Sequence, residues 1–187
     1  SATKFEWLLT EGAVVADDNL RLGTVDAWLL WKLTGGTVHA TEPSNASRTM
    51  LFDLSTGRWS PDLCGRFSVP IAALPEIRPT SGRFGITTND GPIPAGVPVS
   101  GMAGDQQAAL FGQACFTAGA AKNTYGTGSF VLVNLGPELP APVEGLLNTV
   151  AWQLGDGESM TYALEGSIFA TGAAVQWLRD ELGLISE

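Results

Sequence analysis

Val97-Pro98-Val99-Ser100-Gly101-Met102-Ala103-Gly104 leads directly into Asp105-Gln106-Gln107-Ala108-Ala109-Leu110-Phe111-Gly112, a strand running into a helix with an acid at the join. The first half reads as a buried strand. Gln106 to Gln113 read as a helix that can offer Ala109, Leu110 and Gln113 to one face. Asp105 stands between them. An acid at the C-terminal end of an apolar strand, opening a helix, lies where open α/β sheets place their ligands.

Downstream the pattern is that of hairpins. Ala120 to Asn134 alternates around Gly126-Thr127-Gly128, and Leu147–Leu154 pairs with Ser159–Leu164 around Gly155-Asp156-Gly157. A helix is expected from about Ser167 to Leu182, with Ala174, Trp177, Leu178 and Glu181 defining its stripes. Upstream, residues 3–10 read as a helix, and so do Ala27–Leu33, capped by Thr24 and closed by Gly35-Gly36. Thr37–Ala40 and Thr49–Leu54 look extended. Ser60-Pro61-Asp62 looks like a helix start with proline at its first position. Val69 to Pro98 is rich in Pro and Gly and reads as loops around one strand, Phe84–Thr87. Antiparallel strands mixed with helices mean α/β or α+β, and the pattern leaves both open.

Composition narrows the function. Ten Lys+Arg against nineteen Asp+Glu leave a formal charge of −9, with no basic cluster to meet a nucleic-acid backbone. With 44% hydrophobic residues the 187-residue chain can bury a core. No apolar run is long enough to be read as a membrane segment. Ser1-Ala2-Thr3-Lys4 carries no signal-peptide pattern, so a cytoplasmic setting is expected. The two cysteines, Cys64 and Cys115, form no C-x-x-C, and the single histidine, His39, argues against a Ser-His-Asp triad or a histidine-rich metal site.

Each candidate for chemistry has a plainer role beside it. Asp105 could accept a hydroxyl proton or hold magnesium, but Asp is also among the best helix caps, and position alone favours the cap. In Gly126-Thr127-Gly128 the backbone could approach a phosphate closely, yet glycines are ordinary in a hairpin turn. No Gly-Lys-Ser/Thr phosphate loop occurs. Gly166 and Gly172 near the last helix could make room for a nucleotide or simply for close packing, and Gln176 shares a face with Gly172. Trp28, Trp31, Trp152 and Trp177 read as core, His39 as a polar strand residue, and Lys122 carries no assignment.

Longer blocks carry a resemblance. Gly104–Gly112 and Lys122-Asn123-Thr124-Tyr125-Gly126-Thr127-Gly128 resemble the FGGY carbohydrate kinases. So do Gly23–Leu29, Asn45–Phe52, Tyr162–Gly166 and Gln176–Glu181, in order along nearly the whole chain. The Gly-Asp-Gln-Gln form at 104–107 is similar to the glycerol-phosphorylating members, because pentulose kinases usually carry Asn after the Asp. The resemblance implies two actin-like, ribonuclease-H-like α/β domains around a cleft, with ATP on one side and the polyol on the other. Residues 1–116 would be the C-terminal part of the first domain and 117–187 the start of the second.

By the same resemblance, Asp105 matches the catalytic base and a carboxylate associated with Mg2+. Gln106 matches a residue that hydrogen-bonds glycerol, and Phe130 an apolar wall near the carbon chain. Thr127 matches a phosphate contact of ATP, and Gly172 and Gln176 match nucleotide contacts. The expected reaction is ATP-dependent formation of sn-glycerol 3-phosphate by a whole enzyme, expected to be a homo-oligomer. The family's N-terminal phosphate loop, its Arg-Glu pair and Tyr at the polyol, and its adenosine-binding glycine have no counterpart here. A central fragment, inactive alone and prone to self-association, is therefore expected. The alternatives are another polyol or sugar kinase of the family and a non-catalytic folding or interaction piece. Some bacterial members bind fructose 1,6-bisphosphate through a Gly-Gly-x-Arg loop. Here the corresponding Asn89–Gly96 has neither Arg nor the histidine that others phosphorylate, so insensitivity to that sugar is expected.

Overall fold

The computed structural model describes residues 1–91 and 93–186; Pro92, within the 89–96 loop, and Glu187 lie outside the described residues. The chain forms two units, Ser1–Gly104 with Trp152–Met160, and Asp105–Ala151 with Thr161–Glu187.

The first unit is built from helices and short strand pairs. Helix α1 (Ala2–Thr10) buries Ala2 and Phe5, and α2 (Val25–Leu33) buries Ala27 and Leu30. Strand β1 (Ala40–Thr41) runs into the short helix α3 (Pro43–Ala46). Strands β2 (Phe52–Asp53) and β3 (Arg58–Trp59) form a tight hairpin, so only the end of the extended stretch expected at 49–54 is strand. Helix α4 (Pro61–Arg66) begins as expected: Pro61 needs no N–H partner there, and the Leu63 N–H donates to the Ser60 hydroxyl at 3.3 Å. Strand β4 (Glu76–Ile77) pairs in parallel with β1, and β5 (Ser81–Ile86) pairs antiparallel with β6 (Pro98–Gly101).

The last pair corrects an expectation. Strand β6 is not buried: Pro98, Ser100 and Gly101 are exposed, and Val99 alone is partly covered, against Leu30, Ala40 and Phe84. A two-stranded ribbon covers one face at most, so the apolar run at 97–104 gains less burial than a central strand would. Trp28 and Trp177 also depart from the core reading, at 57% and 53% exposure, whereas Trp152 is buried. The main core of this unit gathers Ala2, Phe5, Leu22, Leu51, Cys64, Val69, Ala73 and Leu74.

One polar knot holds the unit together. Glu42 is fully buried at the entrance to α3. It accepts from the Ser44 N–H at 2.9 Å, the Asn45 N–H at 2.7 Å, the Asn45 side-chain amide at 2.9 Å and the Thr80 hydroxyl at 2.8 Å. The Ser44 hydroxyl also donates to it and accepts from the Gly104 N–H at 2.9 Å. A buried carboxylate is tolerated only when its lone pairs are met, and these donors meet them. Burial nevertheless pushes its carboxyl above the ordinary range, against the pull of those bonds.

The second unit is a sheet with one helix packed on it and a last helix that buries none of its own residues. Helix α5 (Asp105–Gly112) comes first, then β7 (Ala121–Tyr125) and β8 (Ser129–Gly136). They are followed by β9 (Leu147–Trp152), β10 (Thr161–Ile168) and α6 (Gly172–Asp180). The strand order is β7-β8-β10-β9, antiparallel at β7–β8 and β8–β10. Helix α5 packs on it through Leu110, fully buried, and Gln107, whose amide donates to the Thr149 hydroxyl at 3.2 Å. The last helix is shorter than expected, because Ser167 and Ile168 continue strand β10.

Candidate active site

Helix α5 presents Asp105 and Gln106 at its first turn. Asp105 is exposed. The Gln106 N–H donates to its Oδ1 at 2.8 Å, and the Gln106 side-chain amide donates to Oδ2 at a long 3.4 Å. The acid thus occupies the first helical position and, among the described residues, meets donors of Gln106 alone, whereas a capping side chain accepts from the N–H two or three residues on. Most of its acceptor capacity stays open.

Lys122, on β7, carries the second half of this corner. The strand's period of two puts Lys122 and Thr124 on one face, and α5 covers that face. Lys122 is 2% exposed. Its ammonium donates to Gln106 Oε1, to the Thr124 hydroxyl at 2.7 Å and to the Phe130 carbonyl at 3.4 Å. Burial lowers its pKa, while the carboxylates of Asp105 and Glu165 pull it back up. The Lys122 contacts tie Gln106 to the backbone of Phe130, a residue that is 36% exposed.

Lys122 is the residue that sequence reasoning missed. Its signal was a lone cation at the inward register of a strand in a chain with only ten Lys+Arg. Alternation marks which residues share a face, but not that α5 closes over them.

Thr127, Gly172 and Gln176 form a separate corner. The 126–128 turn lies against the start of α6. The Thr171 and Ala173 N–H groups donate to the Thr127 carbonyl at 2.9 and 3.1 Å, and the Gly172 N–H donates to the Gly126 carbonyl at 3.0 Å. The Ser129 hydroxyl donates to that of Thr171 at 2.9 Å. Both glycines are required by this approach. A Cβ on Gly172 would sit 2.5 Å from the Gly126 carbonyl oxygen, and one on Gly128 would sit 2.5 Å from that of Ile168. Close packing therefore explains Gly172 without a ligand. The Thr127 side chain is exposed, and its hydroxyl has no partner among the described residues. Gln176 is exposed, one turn before Asp180.

Metal binding can be judged from the donor set. Among the described residues no group of three His, Cys, Asp or Glu could cage an ion. Magnesium does not need one: it is commonly held by one or two carboxylates together with substrate phosphates and water. Asp105, exposed and largely unspent, fits that role.

The mixed helix-and-sheet chain has the actin-like ATPase fold of the glycerol kinase structure on which it superposes. The chain belongs to the FGGY family of carbohydrate kinases: the family's N-terminal domain matches residues 1–112 and its C-terminal domain residues 121–187. It is 55% identical to glycerol kinase of Bdellovibrio bacteriovorus, over 100% of this chain and 38% of that protein. It is 54% identical to that of Methylobacterium nodulans, over 100% and 37%. The crystal structure of Plasmodium falciparum glycerol kinase with ADP superposes with a TM-score of 0.94 at 37% identity, covering 100% of this chain and 38% of that one. A xylulose kinase from Rhodospirillum rubrum shares the fold, with a TM-score of 0.79 at 23% identity over 99% of this chain and 37% of its own. The chain thus spans about 38% of the length of the curated relatives it matches. Among the described residues no helix is long and apolar enough to cross a membrane.

Proposed function

We propose that the protein carrying this chain phosphorylates glycerol from ATP, giving sn-glycerol 3-phosphate and ADP. The observation that carries the reading is the corner at Asp105. An exposed carboxylate with open acceptor capacity stands beside an amide whose NH2 group is turned toward it. Names shared by whole-chain relatives supply the substrate.

In this mechanism a terminal hydroxyl of glycerol lies against Asp105. Its oxygen attacks the γ-phosphorus as the bond to the β,γ-bridging oxygen breaks, and the hydroxyl proton passes to Asp105. The transition state is loose, so positioning and charge neutralisation do most of the work. Gln106 donates to a polyol oxygen, and the Phe130 ring lies against the carbon chain. Thr127 meets the phosphates, while Gly172 and Gln176 contact the nucleotide. Mg2+, held in part by Asp105, would supply the neutralisation that three phosphates need beside a −9 chain. The domain boundary falls between 116 and 117 in this reading, the whole enzyme is homo-oligomeric, and it works in the cytoplasm.

The test is turnover by the full-length protein with ATP and glycerol, set against xylulose, ribulose and erythritol. Preference for glycerol supports the proposal. Preference for a pentulose would move the protein to another activity within the family, and turnover of none of them would remove the proposal.

A further inference from the structure

Lys122 is buried, carries a charge, and is used by no step of the reaction above. A lysine ammonium has three donors and no acceptor. All three are spent, on Gln106 Oε1, on Thr124 Oγ1 at 2.7 Å and on the Phe130 carbonyl at 3.4 Å. A saturated, buried ammonium has nothing left for a substrate. Its effect on Gln106 is specific. A primary amide can present either its oxygen or its NH2 to a neighbour, and the two orientations differ by a half-turn of its terminal torsion. Only the oxygen can face an ammonium. Lys122 therefore forces Oε1 inward and leaves Nε2 directed toward the Asp105 carboxylate.

We propose that Lys122 is the positioning residue of the polyol site. It locks the Gln106 amide as a hydrogen-bond donor beside Asp105, and through the Phe130 carbonyl it fixes the strand that carries the apolar wall. The charge belongs to the device. A neutral donor-acceptor at 122 would accept either orientation of the amide, whereas the cation rejects one. Burial works against the charged form that does this, and Asp105 and Glu165 oppose that pull. The role rests on the glycerol-kinase reading only for the identity of the polyol; the amide orientation stands on the geometry alone.

The experiment has a kinetic and a spectroscopic arm, both on the full-length protein. Lys122→Met removes the cation at similar length. It is expected to raise the glycerol KM about ten-fold, the scale of one lost hydrogen bond, with the ATP KM unchanged. Gln106→Ala should do the same. The double variant should be no worse than either, because both remove one interaction. Lys122→Arg, which keeps donors and charge, should recover part of the loss. Full multiplication of the two single effects, or an unchanged glycerol KM in Lys122→Met, would overturn the proposal. The spectroscopic arm survives a variant that fails to fold. In the wild-type protein labelled with 15N-glutamine, the Gln106 side-chain NH2 signals, identified by their loss in Gln106→Ala, should shift together as Lys122 loses its proton at alkaline pH. Signals that stay fixed through that titration would also overturn it. A wild type inactive on glycerol would remove the substrate reading and leave this second arm to decide the orientation.

Discussion

Two carboxylates, one in each unit, show how surroundings divide structure from chemistry. Glu42 is fully buried, and five donors from Ser44, Asn45 and Thr80 reach it. Asp105 is exposed and is met by one backbone N–H and one long amide contact, both from Gln106. The first acid has no acceptor capacity left for a ligand and organises a loop. The second has spent little, and its neighbours are themselves held in place. Charge alone does not separate them; the count of donors around each does.

The comparison can be broken at Glu42 first. Glu42→Ala would leave the donors of Ser44, Asn45 and Thr80 without an acceptor in a dry site. A loss of about 3 kcal/mol is expected, read by urea denaturation. A loss below about 0.5 kcal/mol would mean that water or a rearranged loop replaces the carboxylate. Asp105→Asn should lie inside that same small limit, since its carboxylate supports almost nothing.

Next in size is the turn corner. Gly172→Ala drives a Cβ to 2.5 Å from the Gly126 carbonyl oxygen. About 1–3 kcal/mol of destabilisation is expected, as for other overpacked sites, with protection lost at the Thr171 and Ala173 amides in hydrogen exchange. Gly112→Ala has nothing near its added Cβ and serves as the control. Equal effects at 112 and 172 would sink the close-approach argument.

A smaller effect is expected from His39. Its Nε2 lies 3.0 Å from the Leu22 carbonyl oxygen. Burial lowers its pKa, with Arg21 adding to the shift and the bond to Leu22 opposing it. The unfolded chain then binds the proton more readily. Stability is complete above the ordinary histidine value, about 6.5, and falls as the pH drops through it toward the lower folded value. His39→Gln should flatten the difference in stability between pH 7.5 and 5.5. An unchanged slope would assign it to other groups. Smallest of all, fructose 1,6-bisphosphate should leave the full-length enzyme's rate unaltered, since Asn89–Gly96 carries no arginine; clear inhibition would contradict this.

Local signals were legible where they were complete in themselves. Ser60-Pro61 announced α4, the glycine pair at 126 and 128 announced the β7–β8 turn, and the apolar spacing of 106–113 announced α5. Asp105 drew attention through its place at the start of α5 and Phe130 through resemblance, and Lys122 donates to Gln106 and to the Phe130 carbonyl. What stayed hidden is long-range. Exposure of Trp28, Trp177 and β6 depends on which surface arrives to cover them, and sequence spacing is silent on that. Lys122 escaped for the same reason, since its partners lie 16 and 8 residues away at Gln106 and Phe130. Gly172 shows the converse: the sequence flagged a need for space, and the Gly126 carbonyl fills it.

The central claim is that Asp105 is the acid whose spare oxygens do the chemistry. Its direct test is the rate of glycerol 3-phosphate formation from ATP by the full-length protein, beside its Asp105→Asn variant and residues 1–187 alone. The account predicts an active wild type, a variant slowed by about 10²–10⁴-fold, the usual worth of a general base, with unchanged stability, and no turnover from residues 1–187. A variant within a few-fold of wild type would contradict the account and return Asp105 to the start of a helix.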